Sequence, residues 1–344
     1  MSNNEPPPSV VVEPTAHCAY DFTQVDVFAE HPLEGNALAI FTDARGLSTD
    51  EMQAIARETN LNETTFIFPR AAEVERERGV HVRIFLPTEE VPFAGHPTLG
   101  TASWLYLNHP VLRGAEQITL DLGVGPITVR FKPQQHDEPG VFGTMRQNDP
   151  TFGEALYASQ DRTELAAALS LSVDDLAPDL PAQVISTGMS FCIVPLRSLE
   201  VAARLSIVPQ DARRYLDRVG AKFFHCITPA NANSGADWHA RMQFDRGEDP
   251  ATGSASGCTI AYLVRHGLAA SEQPIVIEQG IEMLRPSRIH VSATIVDGGV
   301  TKVFVGGRTI AVATGRFFQR ETESFPQGFV IKPQQLRTRI KIGG

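Results

Sequence analysis

Two short segments of this chain carry residues whose types and spacing suit proton transfer beside a bound anion. His96-Pro97-Thr98-Leu99-Gly100-Thr101-Ala102-Ser103 aligns without gaps on Asp249-Pro250-Ala251-Thr252-Gly253-Ser254-Ala255-Ser256. Pro, Gly, Ala and the last Ser are identical, and Thr101 matches Ser254 as a hydroxyl. Each segment precedes an apolar run, WLYL or CTIAYL, that reads as a helix. A helix N-terminus presents unpaired N–H groups and partial positive charge, so it suits a carboxylate or a developing enolate. Gly100 and Gly253 would permit close backbone approach, and Thr101 and Ser254 add hydroxyl donors. The alternative for both segments is an ordinary N-capped helix.

Glu63 heads the short apolar run ETTFIF. A carboxylate desolvated there would have a raised pKa and would accept a proton from a carbon acid near neutral pH. The plainer reading is a solvent-facing acid at a strand end. Asp249 precedes Pro250 at one helix start, as an acid/base group or as an N-cap. His96 holds the equivalent place in the other half. It titrates near working pH and could shuttle a proton on the opposite side of a substrate, or merely fill a Gly-His-Pro turn.

Positioning these groups requires a framework, and hydrophobic periodicity supplies one. Strands are predicted around Phe22–Val27, at Ala37–Phe41, Glu63–Phe68, His81–Leu86, Gln117–Leu122 and Ile127–Phe131. Ser48 with Glu51 is a capping-box signal for a helix through Met52 and Ile55, and a second helix is expected from Thr98 to Leu107. The turn-rich QNDPTFGE (147–154) marks a domain boundary. Beyond it, helices are expected at Asp161–Leu171, Leu199–Leu205, Gln210–Val219 and from Thr252 to Arg265. Strands are expected at Ala182–Thr187, Ser190–Pro195, Phe223–Ile227, Trp238–Phe244, Ile275–Glu278, Arg288–Ile295, Lys302–Val305 and Thr309–Thr314. Mixed strands and few long helices indicate α+β, not a doubly wound parallel sheet. Two further echoes join the first: runs carrying Arg83 and Arg241 precede the two segments, and ETTFIFP faces GMSFCIVP with Phe66 on Phe191. Three matches in the same order point to two similarly folded halves.

Composition narrows the partners. The chain has 344 residues, 42% hydrophobic, with 30 basic and 40 acidic side chains and a net charge of −10. That length suits two domains, and that charge argues against nucleic acid or an anionic membrane surface. An anionic substrate must be gripped by local groups. Four scattered cysteines (Cys18, Cys192, Cys226, Cys258) offer no CxxC pair, so metal and dithiol chemistry lack support. Residues 1–17, with four prolines, read as an extended or disordered tail lacking a signal peptide's basic and apolar regions. With no bilayer-length apolar run, a cytoplasmic protein is expected. The alternating LRTRIKI at 336–342 reads as a solvated tail or a basic edge strand.

DVFAEHPLEGNALAIF, NETTF, PFAGHPTLGTA and EDPATGSASG together resemble the signatures of the PhzF-like isomerases of phenazine biosynthesis, relatives of diaminopimelate epimerase. The resemblance runs from about Asp21 to about Gly315. It implies two pseudo-symmetric α+β domains, each a curved, mostly antiparallel sheet around a central helix. The domains would span 18–148, with a return strand near 308–318, and 149–307, followed by an extension over 319–344. It further implies a homodimer, no metal, no cofactor and a small carboxylate substrate. The family's acid/base glutamate falls on Glu63, its histidine on His96, its aspartate on Asp249 and its serine on Ser254. Gly95 and Gly253 fall at backbone positions that contact substrate, and Asn62 and Thr101 join them as candidate substrate-binding residues. The epimerase relatives use a cysteine at each helix start, and this chain has none there, so a two-thiol racemase is disfavoured. A one-glutamate isomerase is the expected function. A two-base amino-acid racemase and a non-catalytic metabolite-binding protein remain the alternatives.

Overall fold

A computed structural model describes residues 18–134, 138–245 and 247–319. The expectations for the 1–17 tail, the 336–342 run and the extension beyond 319 lie outside the described residues. Contacts divide the chain into Asp21–Gly315 and a smaller unit made of Met1–Tyr20 with Arg316–Gly344. The elements that position the candidate site lie in the first unit.

The first half runs β1 (Cys18–Val27), β2 (Asn36–Phe41), α1 (Thr49–Thr59), β3 (Glu63–Phe68), α2 (Ala72–Arg78), β4 (Val80–Phe85), β5 (Glu90–Val91), α3 (Gly95–Asn108), β6 (Gln117–Leu122), β7 (Gly125–Phe131) and β8 (Val141–Arg146). The second runs β9 (Thr151–Leu156), α4 (Ser159–Ala168), β10 (Ala182–Ser186), β11 (Ser190–Pro195), α5 (Leu199–Ala203), α6 (Pro209–Val219), β12 (Phe223–Pro229), β13 (Trp238–Phe244), β14 (Gly247–Asp249), α7 (Gly253–Arg265), β15 (Ile275–Gln279), β16 (Ser287–Val296) and β17 (Gly299–Gln319). The predicted Ser48 capping box forms, with Glu51 N–H donating to Ser48 Oγ and Ser48 N–H to the Glu51 carboxylate.

Strand pairing shows the duplication directly. In the first half β1–β2 is antiparallel, β2–β3 parallel, β3–β4 and β4–β5 antiparallel, β4–β6 parallel, and β6–β7–β8 antiparallel. The series β10, β11, β12, β13, β14, β15, β16, β17 repeats the same senses step for step. The halves are stitched where β17 lies antiparallel to β8. The fold is therefore the expected α+β arrangement of two pseudo-symmetric domains.

Register identifies true counterparts. Phe66 lies opposite Arg83, and Cys226 opposite Arg241. Both arginines fork onto a glutamate of the next short strand: Arg83 onto Glu90 at 2.7 and 2.5 Å, Arg241 onto Glu248 at 2.8 and 2.6 Å. The predicted match of Phe66 with Phe191 is thus corrected. β3 corresponds to β12, not β11, because one apolar strand resembles another in composition while only the pairing sense separates them. Glu63 then corresponds to Phe223. The offset between halves falls from 158 at Arg83/Arg241 to 153 at Gly100/Gly253. The first half therefore carries five extra residues before its helix, and these let α3 start at Gly95 rather than Thr98.

Each central helix is apolar on nearly all sides, which requires burial. α3 buries Leu99, Ala102, Leu105 and Tyr106 against β2, β3, β6, β7 and β8. α7 buries Ala255, Ile260 and Leu263 and touches β10, β11 and β16. Ser103 and Ser256, identical in the aligned segments, both return their hydroxyls to the carbonyl four residues back, at 2.7 and 3.0 Å. Other departures from expectation are local. The strands predicted at 302–305 and 309–314 are one, because Gly306 and Gly307 stay extended and keep pairing with Thr144 and Gly143. β9 begins inside the presumed boundary segment, and α2 and β8 were not foreseen.

Gly100 faces the sheet, not a ligand: a Cβ there would meet Leu38 Cδ2 and Val27 Cγ2 at 2.8 Å. Both are fully buried, so neither can swing aside. Gly100→Ala is expected to lower unfolding free energy by about 1–3 kcal/mol, read as a reduced denaturant midpoint with unchanged m-value; an unshifted midpoint would show that α3 and β2 can move apart freely.

Candidate active site

The two helix starts meet. A Cβ built on Gly95, the first residue of α3, would lie 3.5 Å from the Ser254 amide nitrogen and 4.0 Å from the Gly253 carbonyl carbon. The N-cap residues are Ala94 and Thr252, and neither closes off its helix with a side-chain hydrogen bond. Two sets of first-turn donors thus face the same small space. Pro97 contributes none, so in α3 the donors near the start are Gly95 and His96.

Glu63 opens β3, paired in register with Leu38. Its strand is pinned by Phe66, stacked on Phe41 at 5.0 Å and edge-on to Phe85 at 5.4 Å. His96 is the second residue of α3. Its Nε2 lies 3.3 Å from Glu63 Oε2, yet the two are not aligned as a hydrogen bond, and both atoms are buried without a partner. Leaving such atoms unsatisfied costs about 1–3 kcal/mol each. Such atoms are uncommon in native structures, and a catalytic role is one of the reasons they persist. Burial, reinforced by the neighbouring Asp249 charge, raises the Glu63 carboxyl to about 8. Burial lowers the His96 imidazole to about 3, opposed by its hydrogen bond to the Ala37 backbone. Near neutrality His96 is uncharged, and Glu63 holds its proton loosely.

Asp249 ends β14, which the Arg241–Glu248 fork holds against β13 with Asp249 opposite Met242. Burial raises its carboxyl to about 6 against the pull of its donors. Oδ1 accepts from Asn36 Nδ2 at 2.7 Å and Asn62 Nδ2 at 3.0 Å, and Oδ2 from the Thr252 hydroxyl at 2.6 Å. Asn36 also donates to the Ala251 carbonyl at 3.1 Å, so a first-half side chain grips the second-half helix start. Sequence reasoning missed Asn36 and Thr252. The prior signals were the places of Asn36 within DVFAEHPLEGNALAIF and of Thr252 within EDPATGSASG.

Glu63, His96, Gly95, Asp249, Gly253 and Ser254 are therefore brought together; Ser254, second in α7, is half-buried. One expectation is corrected. Thr101 is fully buried in the second turn of α3, where its hydroxyl lies 2.9 Å from Thr65 Oγ1; the earlier start of α3 carries it away from the helix end. Asn62 spends its amide on Asp249 and Asn36, so it braces an acid. Cys258 lies inside α7, its thiol pushed by burial to about 11, which suits no thiol base. Among the described residues, no group of three His, Cys, Asp or Glu side chains is placed to hold a metal ion, and no helix is long and apolar enough to cross a membrane.

Residues 25–315 match the family described as phenazine biosynthesis-like protein, PhzC-PhzF. The chain belongs to that family. It is 34% identical over 304 residues to trans-2,3-dihydro-3-hydroxyanthranilate isomerase of Pseudomonas aeruginosa, covering 86% of this chain and 99% of the relative. The crystal structure of the Bacillus anthracis phenazine biosynthesis protein of the PhzF family superposes with a TM-score of 0.78 at 26% identity, covering 88% of this chain and all of that one. A probable proline racemase from Agrobacterium radiobacter, 11% identical with a TM-score of 0.55 and coverage of 86% and 92%, shares the fold alone. Within the PhzC-PhzF family the curated relatives are isomerases, and this chain is an isomerase.

A raised folded-state pKa makes Glu63 a stability liability with a defined sign. Its contribution is present below the unfolded value of 4.5 and is lost as pH rises through about 8, because the folded carboxyl stays protonated after the unfolded one ionises. Glu63→Gln is expected to raise Tm over wild type by roughly 2–5 °C at pH 9, with the gap closing towards pH 4.5. Equal Tm values across that range would show that the carboxyl is not desolvated.

Proposed function

We propose that this chain isomerises a small, carboxylate-bearing substrate of the trans-2,3-dihydro-3-hydroxyanthranilate kind by moving one proton through Glu63. The observation that carries this reading is the unpartnered pair of Glu63 Oε2 and His96 Nε2, 3.3 Å apart, with His96 in the first turn of one of the two uncapped helix starts that meet. The substrate carboxylate docks on the amides of Gly95, Gly253 and Ser254, with the Ser254 hydroxyl as a further donor. Ionised Glu63 takes a proton from carbon, leaving an electron pair delocalised towards the amide-lined end. It then returns that proton at another carbon, so the product has the atoms of the substrate. Neutral His96 accepts or donates a hydrogen bond beside the reacting carbon, and Asp249, held by its three donors, keeps the opposite wall negative. Closure of the two domains, 18–148 with the 308–318 return strand and 149–307, would exclude water and strengthen these interactions.

A single carboxyl serves a proton shift better than a two-base inversion. The counterpart of Glu63 in the duplicated fold is Phe223, which lines a separate cavity of about 860 Å³ with Lys222, Arg213 and Gln243. The position equivalent to Glu63 itself carries no base.

Incubated with trans-2,3-dihydro-3-hydroxyanthranilate, the wild-type chain is expected to turn over, with kcat/KM rising with pH to half its maximum near 8 and levelling above it as Glu63 ionises. Glu63→Gln should lower kcat by 10³-fold or more, with no solvent deuterium entering the substrate. Turnover retained in Glu63→Gln removes Glu63 from the role; a wild-type chain inert towards this compound but active on another acid changes the substrate alone.

A further inference from the structure

Gln279, the last residue of β15, is fully buried, and four groups surround its amide. Nε2 donates to the Asp249 carbonyl at 2.7 Å and to Thr252 Oγ1 at 2.9 Å. Oε1 accepts from the Thr252 backbone N–H at 3.2 Å and faces His225 Nε2 at 3.4 Å. The amide cannot be turned over. A backbone carbonyl only accepts and a backbone N–H only donates, so Asp249 O and Thr252 N fix which end is which.

That orientation propagates. Thr252 Oγ1 receives a proton from Gln279, so its own hydroxyl hydrogen is free to point only at Asp249 Oδ2, 2.6 Å away. At the other end His225 must carry its proton on Nε2, leaving Nδ1 to accept from Thr259 Oγ1 at 2.7 Å. Burial keeps this imidazole neutral, at about 4. The result is a one-way series of hydrogen bonds from Thr259 through His225, Gln279 and Thr252 that ends on a carboxylate oxygen.

The duplicated fold supplies an internal control. β6 sits on β4 as β15 sits on β13: His81 pairs with Asp121 and His239 with Glu278. The next residues, Leu122 and Gln279, are therefore counterparts, and Leu122 is an apolar core residue. The architecture accepts leucine at this place. The polar residue occurs in the half that carries Asp249.

We propose that Gln279 is a positioning residue, which orients the Thr252 hydroxyl and through it holds the Asp249 carboxylate in place for proton transfer. The inference rests on Asp249 serving the reaction proposed above. The titratable group facing Asp249 is Glu63 from β3, protonated in the range where Asp249 titrates, while Asn36, Asn62 and Thr252 are neutral; His225 at the far end faces His239 of β13.

The test titrates full-length protein carrying ¹³C-carboxyl aspartate by NMR, with Asp249→Asn assigning the resonance. Gln279→Leu should move the Asp249 midpoint up by about one unit, and Gln279→Glu, which adds a negative charge and loses both donors, by more. An Asp249 midpoint equal to wild type in whichever variant folds overturns the proposal. With trans-2,3-dihydro-3-hydroxyanthranilate as substrate, Gln279→Leu should lower kcat roughly tenfold with KM little changed. In a Thr252→Val background its further effect should be much smaller, limited to loss of the bond that Gln279 keeps to the Asp249 carbonyl; a full additional loss there would mean that Gln279 does not act through Thr252. The NMR readout needs no turnover, so failure of the functional reading leaves this one decidable.

Discussion

The structure depends on keeping three titratable side chains, Glu63, His96 and Asp249, away from water while leaving two of them incompletely satisfied. Desolvation disfavours charge on each, and it is the leading cause of all three shifts. Only Asp249 is given enough donors to remain ionised near neutrality, and those donors come from both halves of the chain. Its charge then helps raise the Glu63 carboxyl to a value near working pH. An acid and a base of similar intrinsic strength are thereby separated in role by environment alone. The arrangement works only if the halves stay registered to within a fraction of an ångström, since the Asn36–Asp249 bond spans 213 residues of sequence.

That registration is what the duplicated sheet provides. β17 continues the second-half sheet against β8 of the first, and the arginine forks of Arg83 and Arg241 fix the short strands that lead towards each helix. Because Glu248 is held by Arg241, the residue after it has little freedom, and that residue is Asp249. On the first-half side, Gly100 lets α3 settle on Leu38 and Val27, and Leu38 is the register partner of Glu63. A shift of the helix against this strand would alter the His96–Glu63 separation directly. Stability of the core and geometry of the site are thus one constraint.

Much of this was legible in the sequence because it is local. The Ser48 cap, the strand Glu63–Phe68 and the two helix-start segments announce themselves through turn chemistry and period. The clustering of His96, Asp249, Gly253 and Ser254 follows from recognising those segments as a pair, while the place of Glu63 and Gly95 beside them was implied by the family resemblance. What was hidden is register. A gap-free alignment of eight residues could not reveal that five extra residues let α3 begin earlier, and so it placed Thr101 at a helix end when its hydroxyl is buried against Thr65. Apolar strands are similarly degenerate, and pairing Phe66 with Phe191 in place of Cys226 was a misreading that only parallel or antiparallel sense could resolve. Asn36, Thr252 and Gln279 act through contacts that exist only after folding, so no local pattern distinguishes them.

Comparing the halves separates what the fold needs from what the chemistry needs. Where the two copies keep the same side chain, it does structural work: Arg83 and Arg241 in their forks, Ser103 and Ser256 bonding back along their helices. Where counterparts differ, at least one member of each pair stands at the reacting space or braces it: Glu63 against Phe223, His96 against Asp249, Gln279 against Leu122. A symmetric site would present the same group to both faces of a substrate, which suits removing a proton from one side of a carbon and delivering another from the opposite side. This site instead presents one carboxyl with a tunable proton, one neutral imidazole and one braced anion. That inequality suits lifting a proton and setting it down elsewhere, and it arises from substitutions together with the five extra residues before α3 within an otherwise repeated frame.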